Sequence, residues 1–208
     1  MKHIFIHGLG QTPASWDKTI NALGIEDCVC PDLSALVRDT DKTYQSLYSA
    51  FAACCNDFND DVALYGLSLG AVLALNYAID NPEKVKSLIL IAPQYKMPKG
   101  MLRFQNIIFR FMPKSMFKEI GFAKNDYIAL CRSMMDLDFS GLLHKIECRT
   151  LVLHGEKDGA NKKAATEIAA KIKNAALQVV VGSNHEVNVD APEGLAQIIH
   201  TFISKAAG

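Results

Sequence analysis

Ser68 stands between Gly66 and Gly70 in the stretch DDVALYGLSLGAVLALNYAID, residues 60–80, where an apolar strand pattern gives way to an apolar helical one. A serine hydroxyl is a weak nucleophile unless a base takes its proton and a substrate can reach it. A sharp strand-to-helix turn meets the second need. It projects the side chain from the end of a sheet and aims the amino end of the next helix at the same space. Glycines two positions to either side leave room where a β-carbon would strike neighbouring backbone. The spacing reads as a nucleophile at Ser68, and the chemistry as acyl transfer.

Six histidines are available as its base: His3, His7, His144, His154, His185 and His200. His185, in VVVGSNHEVNVDAPE, falls between the last strand pattern and the last helical one, at the same end of the sheet as Ser68. His154 also follows a strand but opens the loop that carries Asp158. His3 sits inside a strand and His200 inside a helix, which are structural positions. The base needs a carboxylate to fix its tautomer and stabilise the imidazolium. Asp158, in RTLVLHGEKDGAN, lies 27 residues before His185; Glu156 is its near rival and Asp190 lies in the histidine loop itself. The chain order Ser, Asp, His is what a parallel sheet gives when each residue tops a different strand.

Acyl transfer passes through a tetrahedral anion, which needs hydrogen-bond donors. FIHGLGQT follows the first strand, and its glycines let the backbone turn so that the N–H of Leu9 faces the N–H of Leu69, the residue after the nucleophile. GLGQTP also looks like the start of a dinucleotide fingerprint. Pro13 occupies the sixth position and Asp32 fits poorly as a ribose ligand, so no nucleotide cofactor is expected. Nor is a metal: no C-x-x-C pair occurs among the six cysteines, which read as small reduced side chains in a cytoplasmic protein.

The elements that must position these groups are legible as an alternation. Short β-rich runs recur at 2–6, 27–30, 61–65, 86–91, 149–153 and 177–181, continuous in apolar residues as expected for strands covered on both faces. Between them lie helical spacings, such as Tyr44, Leu47, Tyr48, Phe51 and Cys55, or Leu195, Ile198, Ile199, Phe202 and Ile203 after Pro192. The fold class is therefore α/β, a doubly wound and mostly parallel sheet of about six strands. Residues 94–145 break the rhythm with no clear strand, six of the seven methionines, six of the ten phenylalanines, and nine Lys and Arg against four Asp and Glu. This interval reads as a helical cap inserted into a core of residues 1–93 and 146–208. The balance of 22 basic and 22 acidic side chains argues against nucleic acid as partner, and no apolar run is long enough to span a membrane.

Together HGLG, GLSLG, LVLHGEKD and SNHEVNVDAPE resemble the α/β-hydrolase superfamily over nearly the whole chain, in particular its small carboxylesterase-like serine hydrolases. The resemblance implies Ser68, Asp158 and His185 as nucleophile, acid and base, Leu9 and Leu69 as oxyanion donors, a helical cap at 94–145, no cofactor, and the strand order second, first, third, fourth, fifth, sixth. It also implies that the chain opens on the family's third strand, without the leading hairpin. Two details depart from the family pattern. SALVRDTD stands where a G-x-G-x-S run is common, and Asn184 stands where glycine usually precedes the histidine. Serine rather than aspartate at the elbow speaks against dehalogenases and epoxide hydrolases. An ester with a small or medium apolar acyl group is the expected substrate. Thioester or C–C hydrolysis, acyl transfer, and a catalytically silent binding protein remain as alternatives. The basic excess of the cap fits either an anionic substrate group or a solvated face.

Overall fold

The structure, a computed structural model, describes residues 1–100, 103, 109, 111, 113 and 122–204. Six strands form one parallel sheet: β1 (Lys2–Ile6), β2 (Cys28–Val29), β3 (Val62–Leu67), β4 (Val85–Ile91), β5 (Arg149–Gly155) and β6 (Ala175–Val180). Their spatial order is β2-β1-β3-β4-β5-β6, the order expected from the sequence. The winding reverses between β1 and β3, paired with Ile6 opposite Gly66, so the loops leaving these two strands diverge and leave a crevice at their carboxyl ends.

Two apolar layers hold the sheet. On one face α3 (Tyr44–Asn56), α4 (Leu69–Asp80) and α6 (Gly159–Lys171) bury Leu47, Phe51, Val72, Leu75 and Ile168 against Ile4, Leu64, Leu88 and Val152. On the other, α1 (Asp17–Leu23) and α8 (Pro192–Ser204) pack together, with Trp16, Leu195 and Ile199 against Phe5, Tyr65, Ile89 and Leu151. Alternate residues of each strand serve opposite faces, which is why the sequence shows continuous rather than alternating apolar runs. Further described elements are α2 (Leu33–Leu36), α5 (Lys124–Ser133) and α7 (Val187–Asp190), with single 3-10 turns at Pro13–Trp16 and Leu143–Lys145.

The expectation of strands covered on both faces fails for β6. Most of it is exposed, with Leu177 at 37% and Val179 at 42%, and Val181, expected to be in the strand, lies beyond its end at 76%. The cause is position: β6 is an edge strand with a neighbour only in β5. At the other edge β2 is only two residues long, so Cys30 falls outside it. The cap expected over 94–145 falls partly on residues 101, 102, 104–108, 110, 112 and 114–121, outside those described. Its described parts include α5 and a single antiparallel bridge between Lys96 and Asp138. Among the described residues, no helix is long and apolar enough to cross a membrane.

The glycines around Ser68 are there for close approach. A β-carbon on Gly70 would lie 2.2 Å from the carbonyl oxygen of Ile6, and one on Gly66 would lie 2.3 Å from that of Gly70. Helix α4 therefore seats directly on the end of β1, which brings the loop after β1 beside Ser68.

Candidate active site

Ser68 has φ 53° and ψ −110°, a left-handed conformation uncommon outside glycine. Such a backbone costs roughly 1–3 kcal/mol and persists only where the surroundings enforce it. Here the Ser68 N–H donates to Ile91 O at 2.9 Å, tying the turn to β4, and Ser68 O accepts the N–H of Val72 at 3.0 Å. Ala92, at the end of β4, is likewise left-handed with φ 49°, its N–H held by Leu153 O at 2.8 Å.

Three side chains distant in sequence meet at this turn. Nε2 of His185 lies 3.0 Å from Oγ of Ser68, and Nδ1 lies 3.0 Å from Oδ2 of Asp158. The contacts assign the tautomer: Nδ1–H donates to the carboxylate, leaving Nε2 to accept from the serine hydroxyl. Asp158 is 4% exposed and caps α6, accepting the backbone N–H of Asn161 at 3.3 Å. Burial pushes its pKa up, but hydrogen bonds from His185 and Asn161 outweigh burial and hold it below the usual carboxylate range. The acid is thus an anion at neutral pH.

The rivals are used elsewhere. Glu156 accepts the Gly182 N–H at 2.9 Å and Asp190 accepts the Asn184 N–H at 2.8 Å, so both carboxylates shape the loop that carries His185. His154 lies within β5, buried, its Nδ1–H donating to Gly155 O at 2.8 Å. The histidine loop crosses the end of β5 so closely that a β-carbon on Gly155 would sit 2.0 Å from Asn184 O.

Leu9 and Leu69 border the same cavity as Ser68. Leu69 is the first residue of α4, where the N–H has no partner within the helix. Among the described residues, neither its N–H nor that of Leu9 meets an acceptor. The loop around Leu9 is braced by polar groups that motif spacing alone does not mark. Gln11 and Asn188 exchange amide hydrogen bonds of 3.1 and 3.2 Å, and Gln11 Oε1 also accepts the Gly8 N–H at 3.2 Å. This pair links the loop after β1 to α7, just beyond His185.

His7 braces the same loop. Its Nδ1–H donates to Gly8 O at 2.9 Å and its Nε2 accepts the Leu33 N–H at 3.2 Å. Burial lowers its pKa, more than the bond to Gly8 raises it, and burial likewise lowers that of His3. An imidazole whose folded pKa is depressed binds more protons unfolded, so its contribution is intact above about pH 6.5 and is lost as pH falls below that value. The thermal midpoint should therefore fall between pH 7.5 and pH 5.0, and fall less in His7→Gln. An unchanged midpoint at pH 5.0 would contradict this reading.

The cavity above Ser68 has a volume of about 570 Å³. Val72, Met97, Phe109, Cys131 and Met134 make much of it apolar, and Gln94, Asn161 and Asn184 add polar groups near the acid. Phe109 stacks edge-on against Tyr127 of α5, with ring centroids 4.9 Å apart. Lys96 and Lys99 pair with Asp138 and Asp136 at 2.8 and 2.6 Å rather than lining the cavity. All six cysteines are unpaired thiols, and burial pushes Cys131, in the cavity wall, up to about 12.

Comparison with known proteins places this architecture. The sequence model described as "Alpha/beta hydrolase family" matches residues 4–198, and the chain belongs to that family. Among curated relatives, a probable lysophospholipase of Arabidopsis thaliana, BODYGUARD 1, is 32% identical over 101 residues, 42% of this chain and 22% of that protein. A pimeloyl-[acyl-carrier protein] methyl ester esterase of Vibrio parahaemolyticus is 23% identical over 130 residues, 61% of this chain and 51% of that protein. The chain thus spans only part of the length of these relatives. A solved thermophilic esterase from Thermogutta terrifontis superposes with a TM-score of 0.81 over 99% of this chain and 90% of that one. At 20% identity, that likeness concerns the fold.

Proposed function

We propose that this chain is a serine carboxylesterase acting on esters of small or medium apolar acyl groups through an acyl-enzyme. The observation that carries the reading is the hydrogen-bonded series Ser68–His185–Asp158, with both links at 3.0 Å, opening on a largely apolar cavity.

In this scheme His185 Nε2 takes the hydroxyl proton as Ser68 Oγ attacks the ester carbonyl. Asp158 stabilises the imidazolium, and the N–H groups of Leu9 and Leu69 stabilise the oxyanion. His185 then protonates the departing alkoxide, and the carbon–oxygen bond breaks to leave an acyl-Ser68. Water, deprotonated by the same imidazole, repeats the sequence and frees the acid. In this reading residues 94–145 form the cap, and Met97 and Met134 supply a part of the cavity wall that adapts to different acyl chains. The size of the cavity suits a small ligand. Ester cleavage also accords with the methyl ester esterase activity for which the Vibrio relative is named.

Purified protein is expected to hydrolyse a p-nitrophenyl ester series from acetate to decanoate, with kcat/KM rising from acetate toward a medium-chain optimum. A flat profile would remove the apolar-acyl assignment. No hydrolysis of any member would favour a silent binding protein on the same scaffold.

A further inference from the structure

Asn161 belongs to neither the expected triad nor the oxyanion pair, yet its contacts run from Asp158 and His185 to Gln94 in the cavity wall. It is 5% exposed and stands third in α6. Its Nδ2 donates to Oδ1 and Oδ2 of Asp158 at 3.0 and 2.9 Å, and its Oδ1 accepts from Nε2 of Gln94 at 2.8 Å. The amide orientation is fixed from both sides. Turned over, its oxygen would face the carboxylate and its nitrogen would face the Gln94 amide nitrogen. Nδ2 also lies 3.1 Å from Nδ1 of His185. With the ring proton on Nδ1 both atoms are donors, so this closeness reflects a shared acceptor, Asp158, rather than a bond between them.

We infer that Asn161 is a positioning residue of the triad, oriented by Gln94, and that its side chain occupies a second place from which a carboxylate would reach the imidazole of His185. The inference rests on the serine-hydrolase reading. A lone aspartate facing an imidazole can rotate about its terminal bond. Donors on both oxygens, together with the backbone N–H of Asn161, hold its plane toward Nδ1. Gln94 follows β4 and borders the cavity, so the relay Gln94–Asn161–Asp158 runs from the cavity wall to the acid.

The geometry makes an exchange possible. In Asp158→Asn/Asn161→Asp the carboxylate moves to the position now 3.1 Å from Nδ1. Both changes are isosteric. Asparagine caps a helix as well as aspartate does, and an aspartate in the first turn suits the helix dipole. Gln94 would still donate to the relocated carboxylate.

The test is kcat/KM on p-nitrophenyl butyrate, with Ser68→Ala as the blank. Asp158→Asn alone should lose on the order of 10³–10⁴-fold. The exchanged double variant should recover roughly 30-fold of that loss, a coupling in the range found for contacting residues. A double variant no faster than Asp158→Asn would overturn the second-place claim. Gln94 is tested separately: Gln94→Met should lower kcat about threefold to tenfold in the wild-type chain and not at all in Asn161→Leu. Equal losses in both backgrounds would make Gln94 mere cavity wall and refute the relay. A Ser68→Ala protein as fast as wild type would instead defeat the serine-hydrolase reading, a different failure from either of these.

Discussion

Ser68→Ala is expected to lower kcat/KM for p-nitrophenyl butyrate by roughly 10⁴–10⁶-fold, the scale on which removing a triad nucleophile acts. The size follows from the proposed covalent route: without Oγ no acyl-enzyme would form, and what would survive is attack by water beside the N–H groups of Leu9 and Leu69. The fold should be unaffected. The hydroxyl makes one side-chain hydrogen bond, to the part-exposed His185, and water can replace it there. Alanine inherits the same left-handed backbone at φ 53°, so the strain is not relieved either. A variant retaining a tenth of the wild-type rate would place the nucleophile elsewhere.

His185→Ala is expected to cost on the order of 10³-fold or more, nearly all of it in kcat. The imidazole is the only base within hydrogen-bond reach of Oγ among the described residues, and it must also protonate the leaving alkoxide. Because nucleophile and base act as one unit, Ser68→Ala/His185→Ala should be no slower than the slower single variant. Losses that multiply would mean that the two side chains act independently. A loss confined to KM would turn His185 into a binding group.

Much of this arrangement is written locally in the chain. The elbow needs only Gly66, Ser68 and Gly70 at their spacing, and the parallel order follows from strands alternating with helices. Choosing Asp158 over Glu156 and Asp190 is harder from sequence, because all three sit on loops at the same end of the sheet. Only the fold shows that the other two accept backbone N–H groups of the histidine loop. Asn161, Gln94, Gln11 and Asn188 were not legible as parts of the site. Each is an amide whose meaning lies in a partner up to 177 residues away, and spacing rules report nothing about such pairs. A faint signal exists: Asn161 stands three positions after Asp158, in the first turn of the helix that Asp158 caps. The exposure of β6 is hidden from the sequence for a related reason. An edge strand and a central strand can carry the same apolar run, and only the neighbours tell them apart.

The central claim is that the hydroxyl of residue 68 is an activated nucleophile, and covalent capture reads it most directly. Intact-mass analysis after incubation with a fluorophosphonate, followed by peptide mapping, should show one adduct per chain, located on Ser68 and absent from His185→Ala on the same timescale. An esterase-active preparation that carries the adduct on another residue, or carries none, would contradict the account.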